Sequence, residues 1–189
     1  MSYPTSPAFN GINLQSDSPS LMSSAVNGRM QSRKIGGQKW AFTASYAPMT
    51  RAEFNPVFAF VVSQQGSNGI FTIVPTEISS TSGTASGTVS TSATAKGLAS
   101  VTVSGLTGAL KAGDVIKFSG HDKVYMLTAD RSGNGAMTFT PPLIEAVGTE
   151  TVTYDNVPFT VRLANDVQSY KLGAGMFFTY EVDLVEALS

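Results

Sequence analysis

Between residues 98 and 140 the sequence falls into four strand-length runs, at 98–103, 114–118, 123–128 and 136–140. Gly105, Gly108, Gly113, Gly120 and the run Ser132-Gly-Asn-Gly135 stand between them. Short runs punctuated by turn residues every 8–12 positions build a small β-sandwich or barrel, because a chain broken so often cannot propagate a helix. Pro141-Pro142 closes the block. The same strand-forming signal precedes it at 38–47, where Trp40, Phe42, Ala44 and Tyr46 fall on one face and Lys39, Thr43 and Ser45 on the other. It resumes after the block at 152–154, 158–163, 169–172 and 176–188, the last with Phe178, Tyr180, Val182 and Leu184 on one side. Alternation of period two marks half-buried strands. The chain is therefore expected to be mainly β, its middle block standing as an insert and its final strand pairing with the first unit.

One segment breaks the pattern. Phe54, Val57, Phe58 and Val61 recur at the spacing of an apolar helical face, and Thr50 with Glu53 three residues on forms a capping box. A helix over about 51–64 follows, ended by Gly66 and Gly69, with Pro56 either kinking it or setting a late start after Asn55. Residues 69–74 return to strand. The first twenty residues carry Pro4, Pro7 and Pro19 and predict an extended arm with at most one short strand at 9–14. Asn27-Gly28 between 21–26 and 29–35 predicts a hairpin with a type I′ turn. Residues 79–96, 16 of 18 of them Ser, Thr, Gly or Ala, suit either a linker or a thin solvent-facing strand pair.

Charge narrows the function classes. Only 13% of residues are charged and the formal net charge is −1, so no global field draws the chain to nucleic acid or an anionic surface. The 23 Ser and 20 Thr supply polarity without charge, a composition that suits burial in an assembly better than life as a free monomer. No cysteine is present, which removes disulfides, thiolate nucleophiles and Cys-ligated metals. The longest apolar run, 57–62, is far below the ~20 residues of a membrane span. The start, Met-Ser-Tyr-Pro-Thr-Ser-Pro, lacks the basic-then-apolar order of a secretory signal.

Candidate chemistry is sparse. The single histidine, His121, lies between Gly120 and Asp122, and is a general base supported by Asp122 or, as preferred here, a turn residue. Asp130-Arg-Ser-Gly-Asn-Gly135 offers calcium-type oxygens but lacks the spacing and the terminal bidentate Glu. Glu181, Asp183 and Glu186 cluster near the C-terminus, the first two projecting to one face of a strand. Paired carboxylates suit hydrolysis, but a solvated or partner-facing edge is the plainer reading. Phe118, Tyr125 and Phe139 are either core residues or, in a carbohydrate-binding reading of the insert, a stacking platform. No catalytic, cofactor-binding or metal-binding residue is assigned, and no cofactor is expected. Arg29, Arg33, Lys34 and Lys39 form a basic cluster at the opposite end of the sequence from the acidic one, an arrangement that suits head-to-tail contacts closing into a ring.

From Ala112 onward the stretches Ala112-Gly-Asp-Val-Ile-Lys-Phe118, Lys123-Val-Tyr-Met-Leu-Thr-Ala-Asp130, Thr138-Phe-Thr-Pro-Pro-Leu143 and Val157-Pro-Phe-Thr-Val-Arg-Leu163 resemble minor tail or distal tail proteins of tailed bacteriophages. The first half, with its polar start, basic strand pair ending at Gly37, Lys39-Trp40, helix and Gly69-Ile-Phe-Thr-Ile73, is similar in order. The resemblance implies a tail-tube-like β-sandwich core at 1–78 plus 152–189, with an arm at 1–20, one flanking α-helix, and an inserted β subdomain, small barrel or sandwich, at 79–151. It further implies a structural virion protein, not an enzyme, forming a homo-oligomeric, hexameric ring at the end of the tail, assembled in the host cytoplasm. Its partners would be the tail tube protein, the tail hub, and baseplate or fibre proteins, with no sequence-specific nucleic acid binding and no membrane. The alternatives are a tail tube protein or a head–tail adaptor or completion protein, and, from another class, the carbohydrate-binding module.

Overall fold

The computed structural model describes residues 1–188. In chain order the first strands and helices are β1 (Gly11–Asp17), β2 (Ser20–Ser24), β3 (Met30–Lys34), β4 (Lys39–Ser45), α1 (Arg51–Ser63), β5 (Phe71–Ile73), α2 (Thr76–Ser79) and β6 (Val89–Thr91). They are followed by β7 (Ser100–Ser104), β8 (Ala109–Leu110), β9 (Val115–Phe118), β10 (Val124–Leu127), β11 (Arg131–Ser132) and β12 (Gly135–Thr140). The last are β13 (Thr151–Thr153), β14 (Phe159–Leu163), β15 (Tyr170–Leu172) and β16 (Phe178–Glu186). The protein is mainly β with one long helix. It divides into two compact units: Pro7–Asn68 with Leu163–Glu186, and Met1–Ser6 with Gly69–Arg162 and the chain end from Ala187.

In the first of these units β4 lies between β1 and β16, antiparallel to both, and β15 pairs with β16. The alternation expected at 38–47 holds: Trp40, Phe42 and Ala44 are buried, as are Tyr180, Val182 and Leu184 opposite them on β16. Against them packs α1, whose Phe54 stacks on Phe178 at 4.6 Å and meets Tyr170 at 4.9 Å. The capping box forms, with the Glu53 carboxylate accepting the Thr50 amide and hydroxyl, both at 2.8 Å. The helix starts at that cap and runs through Pro56 rather than starting late. Ala52 and Pro56 are both exposed, so the carbonyl deprived of its intrahelical donor faces water. Past the helix, Asp166 accepts the Ser67 amide and hydroxyl at 2.9 and 2.6 Å and fixes the turn.

Strands β2 and β3 form a two-stranded hairpin of their own. The expected type I′ turn is replaced by a three-residue loop. Gly28 donates to the Ala25 carbonyl and Ala25 to the Arg29 carbonyl, each at 2.9 Å, and Gly28 takes φ +79° while Asn27 stays outside the left-handed region. This is a type I turn followed by a glycine bulge, the other common hairpin solution.

The second unit contains a closed six-stranded barrel, ordered β10-β12-β7-β6-β13-β9. Of the two forms expected for the middle block, the barrel is the one formed. Its interior is filled by Val101, Val103, Leu110, Ile116, Leu127 and Met137 together with three buried aromatics, Phe118, Tyr125 and Phe139. The Ser/Thr-rich stretch at 79–96 is no free linker. It supplies β6 to the barrel wall, and Ser86 and Thr94 bridge to Thr107 and Val147 on either side. Gly108 permits this close approach: at φ +79°, a Cβ there would collide with the Thr84 carbonyl. The start of the arm is also built in, since Tyr3 is buried, donates its amide to Thr72 O at 2.8 Å and stacks on Phe71.

Candidate functional site: assembly surfaces

His121 sits in the turn after β9, its amide bonded to the Phe118 carbonyl at 3.0 Å and its ring edge-on to Phe118. It is only 6% exposed. Nδ1 lies 3.2 Å from the Tyr125 hydroxyl, which also accepts the Ile144 amide at 3.4 Å. Nε2 is buried and has no hydrogen-bond partner among the described residues. Asp122 accepts a bond from the Thr160 hydroxyl at 3.3 Å. The ring is packed in the turn between β9 and β10, against Phe118 and Tyr125.

The other polar candidates are likewise engaged in holding loops. Asp130 binds Lys111 Nζ at 2.7 Å and the Ala112 amide at 2.9 Å, and Asn134 accepts the Leu106 amide at 3.1 Å. Among the described residues no group of three or more His, Cys, Asp or Glu converges as a metal site. Phe118, Tyr125 and Phe139 are each 2% exposed or less and face one another inside the barrel, so they offer no platform to a sugar.

The C-terminal carboxylates separate. Glu181 is exposed and Asp183 half-buried on the same face of β16, where Asp183 accepts the Thr43 hydroxyl at 2.9 Å. Glu186 turns inward and accepts the Trp40 amide at 3.1 Å. Around Glu181 and Asp183 lies an open cleft of about 470 Å³, bordered by Ser45, Tyr170, Lys171 and Thr179. Beside it the β15–β16 turn exposes Leu172, Met176 and Phe177.

The basic cluster takes the form of a projecting surface. The β2–β3 hairpin is exposed along its whole length, including Leu21, Met22 and Met30. Leu21 pairs with Arg33 across the hairpin, and the period of two places Arg29 on that same face, with Met22 and Lys34 on the other. Exposed apolar side chains in a contiguous strand pair mark an interaction surface rather than a solvated loop. Sequence reasoning found the charges; the exposure of the leucine and methionines beside them became visible only in the fold.

What the sequence reading missed is Asp114. Thr81 Oγ1, Ser82 N, Ser82 Oγ and Lys111 N all donate to its carboxylate at 2.6–2.9 Å. Burial works to raise its pKa, and the bonds from Ser82, Lys111 and Thr81 outweigh that and hold it below the usual aspartate range. An acid followed by apolar residues carries no local signal of such a role.

Residues 63–157 match the family described as distal tail protein pb9, B domain, a stretch that contains every strand of the closed barrel. The chain belongs to this family of phage distal tail proteins. It is also 24% identical over 163 residues to distal tail protein pb9 of Escherichia phage T5, covering 83% of this chain and 80% of that protein. Both findings accord with the tail-protein resemblance read from the sequence, and they place a distal tail protein in the virion tail as a structural component assembling with other tail proteins. No helix among the described residues is long and apolar enough to cross a membrane.

Proposed function

We propose that this distal tail protein forms a homo-hexameric ring at the end of the phage tail, joining the tail tube to the hub or baseplate. The unit built on β1, β4, β16 and α1 makes the ring, and the barrel is an outward module on which peripheral or receptor-binding proteins dock. The protein works by geometry and carries no catalysis. The observation that supports this most is the exposed β2–β3 hairpin, which presents unpaired strand edges, apolar side chains and bases with no cover from its own chain. Surfaces of that kind are completed by neighbours in an assembly. Six outward barrels would convert weak single contacts with a fibre or baseplate protein into firm attachment through avidity.

The test is the mass of the purified full chain by light scattering, followed by negative-stain imaging alone and with isolated tails. Rings with an open centre that cap tube ends without stacking are expected. A monomer that binds neither the tail tube nor a hub component would overturn the reading.

A further inference from the structure

The hairpin and the cleft described above are opposite in charge and alike in having apolar flanks. No Asp or Glu lies between Asp17 and Glu53, and the hairpin carries Arg29, Arg33 and Lys34. The cleft is bordered by Glu181 and Asp183 against the single Lys171. On the Arg33 face the hairpin contributes exposed Leu21, with Met22 and Met30 on its other face; next to the cleft the β15–β16 turn exposes Met176 and Phe177. We propose that the Leu21–Arg33 face of the β2–β3 hairpin of one copy docks over the Glu181–Asp183 cleft of a second copy, an inference that rests on the ring reading and names its interface.

The chemistry commits the occupant. A guanidinium offers a planar fork of donors that fits a carboxylate in two-point contact, so Arg33 or Arg29 meets Glu181. Leu21 then covers the exposed side chains at the β15–β16 turn and removes water from around the ion pair. Because the two surfaces differ, the contact is head-to-tail. Each copy keeps one free hairpin and one free cleft until a ring closes, whereas a self-complementary contact would stop at a dimer. Asp183 already holds Thr43, so Glu181 is the carboxylate left for a neighbour.

The chain has no cysteine, so introduced thiols report only the contact under test. Ser23→Cys shares the Leu21–Arg33 face, and Thr179→Cys borders the cleft. Mild oxidation of the full chain carrying both is expected to give a ladder of linked copies ending at the ring mass, while each single variant gives at most a dimer. Separately, Glu181→Lys and the double variant Arg29→Ala/Arg33→Ala should each weaken self-association by about tenfold or more. Their equimolar mixture should form a one-to-one pair that does not grow, since one intact hairpin and one intact cleft remain. Rings that form undiminished in both charge variants, without a ladder, would overturn this interface and leave the ring reading standing. A chain that stays monomeric and unlinked even at tube ends would overturn both.

Discussion

Asp114 reaches back along the sequence to Ser82, its Oδ1 accepting the Ser82 amide at 2.9 Å and the hydroxyl at 2.6 Å. This contact pins the start of the Ser/Thr-rich segment to the barrel. The carboxyl is held below its usual range, so its contribution to stability is full above the unfolded aspartate pKa of about 3.9 and fades as pH falls through the lower folded value. Acid unfolding of the native protein should therefore continue below pH 4, and Asp114→Asn should flatten that part of the curve. At neutral pH Asp114→Ala should cost about 2–4 kcal/mol in a urea titration, because charged bonds are lost and donors are left unpaired. Limited proteolysis should then cut within 79–88.

Glu186 is buried and accepts the Trp40 amide. Glu186→Ala leaves that donor without its acceptor and should cost about 1–3 kcal/mol by thermal or urea unfolding. Glu186→Gln keeps an oxygen at the same place and should cost less. Equal losses in the two variants would show that charge matters more than the bond.

Phe54 ties α1 to its sheet through Tyr170, Phe178 and Tyr180. Phe54→Ala should cost about 3–5 kcal/mol, with α1 amides losing hydrogen-exchange protection before those of the barrel. Phe54→Leu should retain much of the packing. Uniform loss of protection across the chain would argue that the two units unfold as one.

Gly108 holds a positive φ against the Thr84 carbonyl. Gly108→Ala adds both a strained backbone and a collision, and should destabilise the barrel by about 2 kcal/mol or more, read as a lowered melting temperature. Gly97→Ala, also at positive φ but with open space around it, should cost only about 1 kcal/mol, the backbone share alone.

Much of this was legible before the fold. Trp40, Phe42 and Ala44 declared β4 through their alternation, and Thr50 with Glu53 marked where α1 begins. The two clusters of charge also stood out in the sequence. The segment at 79–96 was illegible because Ser and Thr fit a strand and a linker equally well, and β6 exists only where β7 and β13 flank it. Tyr3 read as part of a loose arm because its partner, Phe71, is distant in sequence. The Asn27-Gly28 dipeptide predicted the hairpin correctly and its turn incorrectly, since the same two residues also suit a type I turn with a bulge. Glu181 and Asp183 share a face as their spacing requires, and the same alternation sets Glu186 on the inward face with Tyr180, Val182 and Leu184; that it accepts the Trp40 amide there depends on where β4 lies.

The sequence by itself determined where strands and helix form, because periodicity and capping act within a few residues of the chain. It also excluded thiol chemistry and a charged binding field, through composition alone. Only the tertiary structure decided that the middle block closes into a barrel, that Asp114 and Glu186 serve as fastenings, and that the basic hairpin stands uncovered. Those outcomes depend on which distant segments meet. A side chain's burial is a property of that meeting, set by long-range pairing that leaves no mark on the residues beside it.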